Sequence, residues 1–188
     1  MMKQLLGEGI CVSALRISET GPLAGVVVVD ATDARGEMCG RLLADLGACV
    51  LKIEPIKGVN SRKLGPFDSG DKESLYWAHV GAGKHSISLN FEDTTELEKL
   101  RNLIKRADIF VESSDLNYMD QLGFGYDSLN KINERLIYVS ISAYGRTGPK
   151  ASWPATDFTV ESAAGLTTLQ GDGDRPPVAV GYPQASFH

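Results

Sequence analysis

The sequence predicts an α/β fold: an open, mostly parallel Rossmann-like sheet with flanking helices. Two patterns predict it. Short β-branched segments alternate with amphipathic segments along the chain, and the joints between them are short. A strand buried on both faces has a continuous apolar sequence, and consecutive parallel strands need a crossover, usually a helix, between them. We therefore expect about five strands in one sheet, with ligands bound at the carboxyl ends of the strands.

The first strand–helix–strand unit begins with a continuous β-branched run at residues 26–32. Residues 36–47 are predicted to form the crossover helix, which ends at Gly47 because glycine tolerates the left-handed conformation that follows many helices. Residues 49–55 are the second predicted strand, and Pro55 stops it. One face of the crossover helix carries Met38, Leu42, Leu43 and Leu46.

The rest of the chain continues this alternation after a long polar loop at residues 56–72. Residues 93–108 are the clearest predicted helix, with a capping box formed by Thr95 and Glu98. Its buried stripe is predicted to contain Leu97, Leu100, Leu103 and Ile104. Further strands are predicted at 84–90, 109–113 and 136–145, and further helices at 126–135 and 156–170.

The composition argues against several classes of function. The chain has 188 residues, of which 43% are hydrophobic and 23% charged, as in ordinary globular proteins. A net charge of −5 argues against a nucleic-acid partner, because phosphate binding favours a basic surface. No apolar run approaches the roughly 18 residues that span a bilayer, so no membrane partner is expected. Three unclustered cysteines predict neither a metal site nor a disulfide framework, and they favour a cytoplasmic location.

The common nucleotide-binding and hydrolase motifs are absent from the sequence. The turn after the first strand is DATDARGEMCG, which is not GxGxxG and does not support an NAD or flavin site. The chain also lacks the P-loop motif and the GxSxG motif. Residues 1–21 are interpreted as an N-terminal extension and residues 22–188 as the fold proper. The residues alone predict an α/β domain that binds a small molecule at the loops after its strands.

The order of several segments carries a more specific resemblance. The segments PLAGVVVVDAT, RLLADLGACVLKIEP, NERLIYVSISAYGRTGP and GDGDRPPVAVGYPQA occur in this order along the chain. Together they resemble the N-terminal half of the family III CoA-transferases, the CaiB/BaiF group, which is related to formyl-CoA transferase and α-methylacyl-CoA racemase. The resemblance implies that residues 22–188 are the N-terminal part of a CoA-binding Rossmann-like large domain. It also implies that the chain is a fragment or the first half of a longer polypeptide, and that a homodimer or a tandem second family domain completes it.

The implied activity is the transfer of coenzyme A between an acyl-CoA and a carboxylic acid, without a metal or NAD. In the family, an aspartate attacks the thioester and then carries CoA as an enzyme thioester. The matching stretch here is PPVAVGYPQAS, so Ser186 occupies the position of that aspartate. A serine hydroxyl can accept an acyl group, but it has no carbonyl to which CoA could be bound. Ser186 is therefore the candidate catalytic residue, and its identity puts the activity of this half in question.

The resemblance also implies contacts with CoA in the loops after the strands. The implied contact residues are Arg35, Leu89, Ser113, Ser114 and Ser142. Arg35 is a candidate for the diphosphate, although a solvated loop arginine explains it equally well. Ser113 and Ser114 can donate hydrogen bonds, whereas Asp115 would repel a phosphate.

Three hypotheses for function remain. In the first, this chain binds CoA or an acyl-CoA and an intact second copy supplies catalysis. In the second, the fold is a non-catalytic assembly module. In the third, Ser186 polarises a thioester carbonyl in an isomerase-type or racemase-type reaction. The racemase branch is disfavoured, because Thr156 stands where that branch has a proton-transferring histidine.

Overall fold

The structure is a computed structural model that describes residues 20–70, 73–182 and 184–186. Five parallel strands form one sheet in the order β3-β2-β1-β4-β5. This confirms the open α/β sheet. Residues 1–19, most of the interpreted N-terminal extension, lie outside the described residues. The strands are β1 (Val27–Ala31), β2 (Cys49–Pro55), β3 (Lys84–Leu89), β4 (Ile109–Glu112) and β5 (Ile137–Ser140).

The strand order reverses at β1, which lies at the centre of the sheet. β1 pairs with β2 on one side and with β4 on the other. The last residues of β1 and β4, Ala31 and Glu112, are directly opposite one another in the register. Connections leave in opposite directions at such a reversal, so a crevice opens beyond the strand ends. The topology therefore places the candidate site above β1, β4 and β5.

The helices are shorter than the sequence predicts, and two of them were not predicted. The predicted segments 126–135 and 156–170 form five-residue and seven-residue helices, the second followed by a 3-10 turn. The helix at Leu75–Val80 was missed because its six residues are too few to show a helical period of apolar residues. The helices are α1 (Glu37–Asp45), α2 (Leu75–Val80), α3 (Thr94–Ile104), α4 (Tyr118–Gln121), α5 (Tyr126–Asn130) and α6 (Asp157–Ala163).

The start of α3 differs from its predicted capping box. The N-cap is Asp93, whose Oδ1 accepts a hydrogen bond from the Thr95 amide at 2.8 Å, so the predicted pairing of Thr95 with Glu98 is wrong. Asp93 is extended at φ −94° and already satisfies a free amide of the first turn, which leaves no role for a second cap. The predicted buried stripe is confirmed, because Leu100, Leu103 and Ile104 are buried and Leu97 packs against them.

The buried face of α1 is also different from the apolar face in the sequence. Leu42 and Leu46 are 52% and 45% exposed, whereas Glu37 and Gly40 are buried. Gly40 faces the sheet so closely that a Cβ atom there would lie 2.2 Å from Asp30 Oδ2. Leu43 still packs against the sheet core, so the side of α1 that faces the sheet combines apolar contacts with the buried Glu37 and Gly40.

Four charged side chains, the buried charge cluster, lie between α1 and the sheet: Asp30, Glu37, Lys52 and Lys84. Lys52 Nζ lies 3.2 Å from Asp30 Oδ1 and 3.7 Å from Glu37 Oε1. Lys84 Nζ lies 2.8 Å from Asp30 Oδ2. Glu37 Oε2 has no hydrogen-bond partner among the described residues. Burial raises the pKa of Glu37, and the nearby charge of Lys52 only partly offsets this effect.

The raised pKa of Glu37 predicts a pH-dependent loss of stability. A carboxyl group whose pKa is higher in the folded state makes its full contribution to the stability of the fold below its unfolded pKa, near 4.5. That contribution is lost as the pH rises through the folded value, because the unfolded chain ionises first. We expect Glu37→Gln, which cannot titrate, to gain stability relative to the wild type between pH 4.5 and pH 8. Urea unfolding across this pH range measures the difference in the free energy of unfolding between variant and wild type. The control is Glu134→Gln at an exposed position, whose difference from the wild type should stay constant.

Candidate active site

Two adjoining cavities lie at the carboxyl ends of β1, β4 and β5. The larger has a volume of about 520 Å³ and the smaller about 300 Å³. Together they fall in the size range of small-molecule sites. Both are lined by Arg35, Ser142, Ala143 and Ala155, so they adjoin, and together we call them the cleft. The larger cavity also contains Ser114, Asp115, Tyr144, Arg146 and Trp153, and the smaller contains Thr156, Asp157, Val160 and Ser186.

Ser113 joins the loops that follow β1 and β4. Its Oγ accepts a hydrogen bond from the Asp33 amide at 2.8 Å and donates one to Asp33 Oδ1 at 2.8 Å. The side chain of Ser113 is buried. Its hydroxyl therefore holds the crevice between β1 and β4 in shape, which is a structural role that the sequence did not indicate.

Arg35 lies in the cleft and is paired with two aspartates. Its Nη2 lies 2.7 Å from Asp33 Oδ2, and its Nη1 lies 3.2 Å from Asp115 Oδ1. Burial opposes ionisation of Asp33, but the hydrogen bonds from Arg35 and Ser113 outweigh it and hold the pKa of Asp33 below its ordinary value. Asp115, expected from the sequence to repel a phosphate, instead partners the arginine. An anion that binds Arg35 has to compete with these carboxylates.

Arg146 links β4 to the loop after β5 and was not singled out from the sequence. Its Nη2 donates to Glu112 Oε1 and its Nε to Ser140 Oγ. The other oxygen of Glu112 accepts from the Ser114 amide at 2.7 Å. This chain of contacts fixes the loop that carries Ser142 beside Ser114, so both predicted serines line the larger cavity.

Leu89 stands apart from the other predicted contact residues. Its side chain is 1% exposed and belongs to the core cluster with Leu100 and Phe110 on the α3 side of the sheet. Leu89 is not among the residues that line the cleft. A contact of Leu89 with CoA would therefore have to use its backbone.

Ser186 lies in the smaller cavity, where it is bound to a carboxylate. Its Oγ donates to Asp157 Oδ2 at 2.8 Å, and its backbone amide donates to Asp157 Oδ1 at 2.9 Å. The amide of Gln184 donates to Glu161 Oε1 at 3.1 Å. Asp157 and Glu161 are four residues apart and share one face of α6, which thereby holds residues 184–186. This contact could not be predicted from the sequence, because its two sides are 29 residues apart.

Thr156 caps α6 in a reciprocal capping box. Its Oγ1 accepts from the Thr159 amide at 3.3 Å, and the Thr159 hydroxyl oxygen accepts from the Thr156 amide at 2.8 Å. A threonine hydroxyl has no pKa in the range needed to exchange a proton with a substrate carbon near neutral pH. At this position the side chain serves the helix terminus.

Comparisons with known proteins identify the family. The sequence profile of CoA-transferase family III matches residues 23–187. An acetyl-CoA:oxalate CoA-transferase from Acetobacter aceti is 42% identical over 163 residues, which are 86% of this chain and 41% of that protein. A subunit of a succinyl-CoA:(R)-benzylsuccinate CoA-transferase from Thauera aromatica is 37% identical, over 79% of this chain and 37% of that protein.

A solved structure agrees with the sequence relatives. The crystal structure of a CaiB/BaiF family protein from Brucella suis superposes with a TM-score of 0.83 at 35% identity, covering 89% of this chain and 46% of that one. The chain therefore belongs to CoA-transferase family III, as its segments predict. It spans about two fifths of the length of the curated relatives described above.

In residues 20–70, 73–182 and 184–186, no three His, Cys, Asp or Glu side chains are grouped as metal ligands. In the same ranges, no helix has the length and apolarity to cross a bilayer.

Proposed function

We propose that the protein binds an acyl-CoA in the cleft above β1, β4 and β5 and takes part in transferring CoA to a carboxylic acid. One observation carries the proposal: Ser186, which the family resemblance puts at the nucleophile position, lines a cavity that adjoins the larger cavity over the strand ends. The relatives named above as CoA-transferases support the same reaction. We place this reaction in the cytoplasm, in agreement with the unclustered cysteines.

The two cavities suit different parts of an acyl-CoA. We place the thioester in the smaller cavity, near Ser186 and Asp157. The nucleotide end then extends into the larger cavity, where Arg35 offers positive charge and Trp153 packs edge-on against Tyr144 with ring centroids 6.3 Å apart. Arginine and aromatic side chains are suited to phosphate and to an adenine ring, respectively.

Replacing Arg35 by methionine is expected to weaken CoA binding without unfolding the protein. The ion pairs of Arg35 are solvent-exposed, and exposed pairs contribute about 1 kcal/mol or less to stability. A lost charge-assisted hydrogen bond to phosphate costs roughly 1.5–3 kcal/mol, which weakens binding about 10-fold to 100-fold.

Isothermal titration calorimetry with CoA measures this effect. The control is Arg175→Met, which removes another exposed arginine paired with an aspartate, Asp172, outside the cleft. If Arg35→Met binds CoA as tightly as the wild type, Arg35 does not contact the bound CoA. If wild-type protein shows neither heat nor a thermal shift with millimolar CoA, the hypothesis of a non-catalytic assembly module is favoured instead.

The transfer reaction also requires a carboxylate that can hold CoA as a thioester, and Ser186 cannot provide one. It comes either from a second family domain, in a homodimer or later in the same polypeptide, or from another residue of this chain. That one relative is named as a subunit supports a two-part assembly. The contacts of Ser186 support the alternative within this chain.

A further inference from the structure

We propose that Asp157 is the catalytic carboxylate of this chain, and that it carries first the acyl group and then CoA. This inference rests on the proposed function. It also assigns a catalytic role to a residue other than the one at the family's nucleophile position. On this basis the substitution at Ser186 has moved the nucleophile to the neighbouring helix, and the site is still active.

The geometry places the Asp157 carboxylate next to the position where the family has its own. Asp157 Oδ2 is 2.8 Å from Ser186 Oγ and Oδ1 is 2.9 Å from the Ser186 amide nitrogen. A nucleophile at Asp157 is therefore displaced by about one hydrogen-bond length from a nucleophile at residue 186. Asp157 lines the same cavity as Arg35, Ser142 and Ser186, and it is partly exposed to that cavity.

The two hydrogen bonds orient the carboxylate and leave it able to react. A carboxylate has about four lone-pair positions, and the donors from Ser186 occupy two of them. The remaining positions are available to a thioester carbonyl in the cavity. Ser186 acts as a positioning residue, through its amide and its hydroxyl.

Asp157 can complete the exchange of CoA without water, metal or an external base. A carboxylate oxygen of Asp157 attacks the donor thioester carbonyl, the C–S bond breaks, and CoA leaves as a thiolate. The thiolate then attacks the side-chain carbonyl carbon of Asp157. The anhydride C–O bond breaks, the donor acid leaves as its carboxylate, and CoA remains bound to Asp157 as a thioester.

The second half of the exchange is the reverse of the first. The acceptor carboxylate attacks the Asp157–CoA thioester and releases the CoA thiolate, which gives a mixed anhydride of Asp157 and the acceptor. The thiolate attacks the acceptor carbonyl, forms the new acyl-CoA and restores the Asp157 carboxylate. Bonds, charges and electrons balance over the cycle, and the only reactants are an acyl-CoA and a carboxylate.

The serine hydroxyl is a poorer candidate for the same chemistry. An acyl group on Ser186 would be an ester, whose alkoxide is a poor leaving group compared with a carboxylate. CoA attack on that ester could return only the original acyl-CoA, since a serine has no carbonyl of its own. Exchange to a second acid needs an acyl carbon that belongs to the enzyme, and in the smaller cavity Asp157 provides one.

The test is to trap CoA on the protein and to locate it. Purified protein is incubated with acetyl-CoA or succinyl-CoA as the probe, quenched, and examined by intact mass spectrometry for covalently bound CoA. Treatment with hydroxylamine then converts an aspartyl thioester to a hydroxamate, which peptide mapping assigns to a residue. We expect the adduct at Asp157. Asp157→Asn should reduce it about 10³-fold or more, and Ser186→Ala should retain it at a lower rate of formation.

Two controls separate failure of this inference from failure of the proposed function. CoA binding by calorimetry is measured for every variant, and Asp174→Asn serves as a matched exposed aspartate outside the cleft. An adduct on another residue would overturn the role of Asp157. CoA binding without any adduct would also overturn it, and would point to a carboxylate from a second domain. If the wild-type protein does not bind CoA, the proposed function itself is wrong. An adduct that persists in a folded Asp157→Asn variant would also contradict the inference.

Discussion

Replacing Lys52 by methionine should lower the free energy of unfolding by about 3–5 kcal/mol. The Lys52 ammonium is fully buried and forms ion pairs with Asp30 and Glu37. Methionine has a similar volume but no charge, so it leaves two buried carboxyl groups with less compensation. Lys84 still pairs with Asp30, whereas Glu37 loses its ion pair with Lys52. In the part of the chain that the structure describes, Glu37 Oε2 also has no hydrogen-bond partner.

Urea unfolding at pH 7 measures this loss of stability. The exposed Lys105→Met provides the control and should change stability by about 0.5 kcal/mol or less. The loss in Lys52→Met should also shrink at low pH, because protonation removes the charge of Glu37, the carboxylate that has lost its ion-pair partner. A loss of less than about 1 kcal/mol at pH 7 would mean that the buried charge cluster does not depend on Lys52.

The same cluster explains which parts of the fold were open to prediction from the sequence. Four of the five strands were predicted to within one residue at each end, because continuous β-branched runs report on burial at both faces. The fifth was predicted too long: β5 is Ile137–Ser140, whereas the prediction was 136–145. The buried face of α1 was predicted only in part: Leu43 packs against the sheet, whereas Leu42 and Leu46 are exposed. Glu37 of the same helix is buried beside Lys52. Apolar periodicity within a helix contains no information about charges that lie opposite it in space.

The candidate site was also predicted only in part from the sequence. The cleft lies where the topology predicts, and Arg35, Ser114 and Ser142 all line it, since loops after neighbouring parallel strands meet at one edge of the sheet. What those side chains bind could not be predicted. The pairing of Asp157 with Ser186 depends on how α6 packs against residues 184–186, and only the three-dimensional arrangement brings the two together.

Ser186→Asp should therefore behave as an insertion of charge next to Asp157. The new carboxyl would lie within about one hydrogen-bond length of Asp157 Oδ2, where Ser186 Oγ is now found at 2.8 Å. Two carboxylates this close cannot both ionise freely, so one folded-state pKa must rise. The variant should then match the wild type in stability below the unfolded pKa of about 3.9 and lose stability as the pH rises through the raised value.

Each unit of that rise corresponds to about 1.4 kcal/mol, so we expect Ser186→Asp to lose roughly 1–3 kcal/mol between pH 4 and pH 7. Urea unfolding over this range measures the loss. Ser186→Asn is the matched control, because it has nearly the same volume as aspartate and no charge, and its difference from the wild type should not change with pH. If Ser186→Asp shows a pH-independent difference as well, residue 186 and Asp157 are not in electrostatic contact in solution. The oriented carboxylate on which the proposed chemistry depends would then be absent.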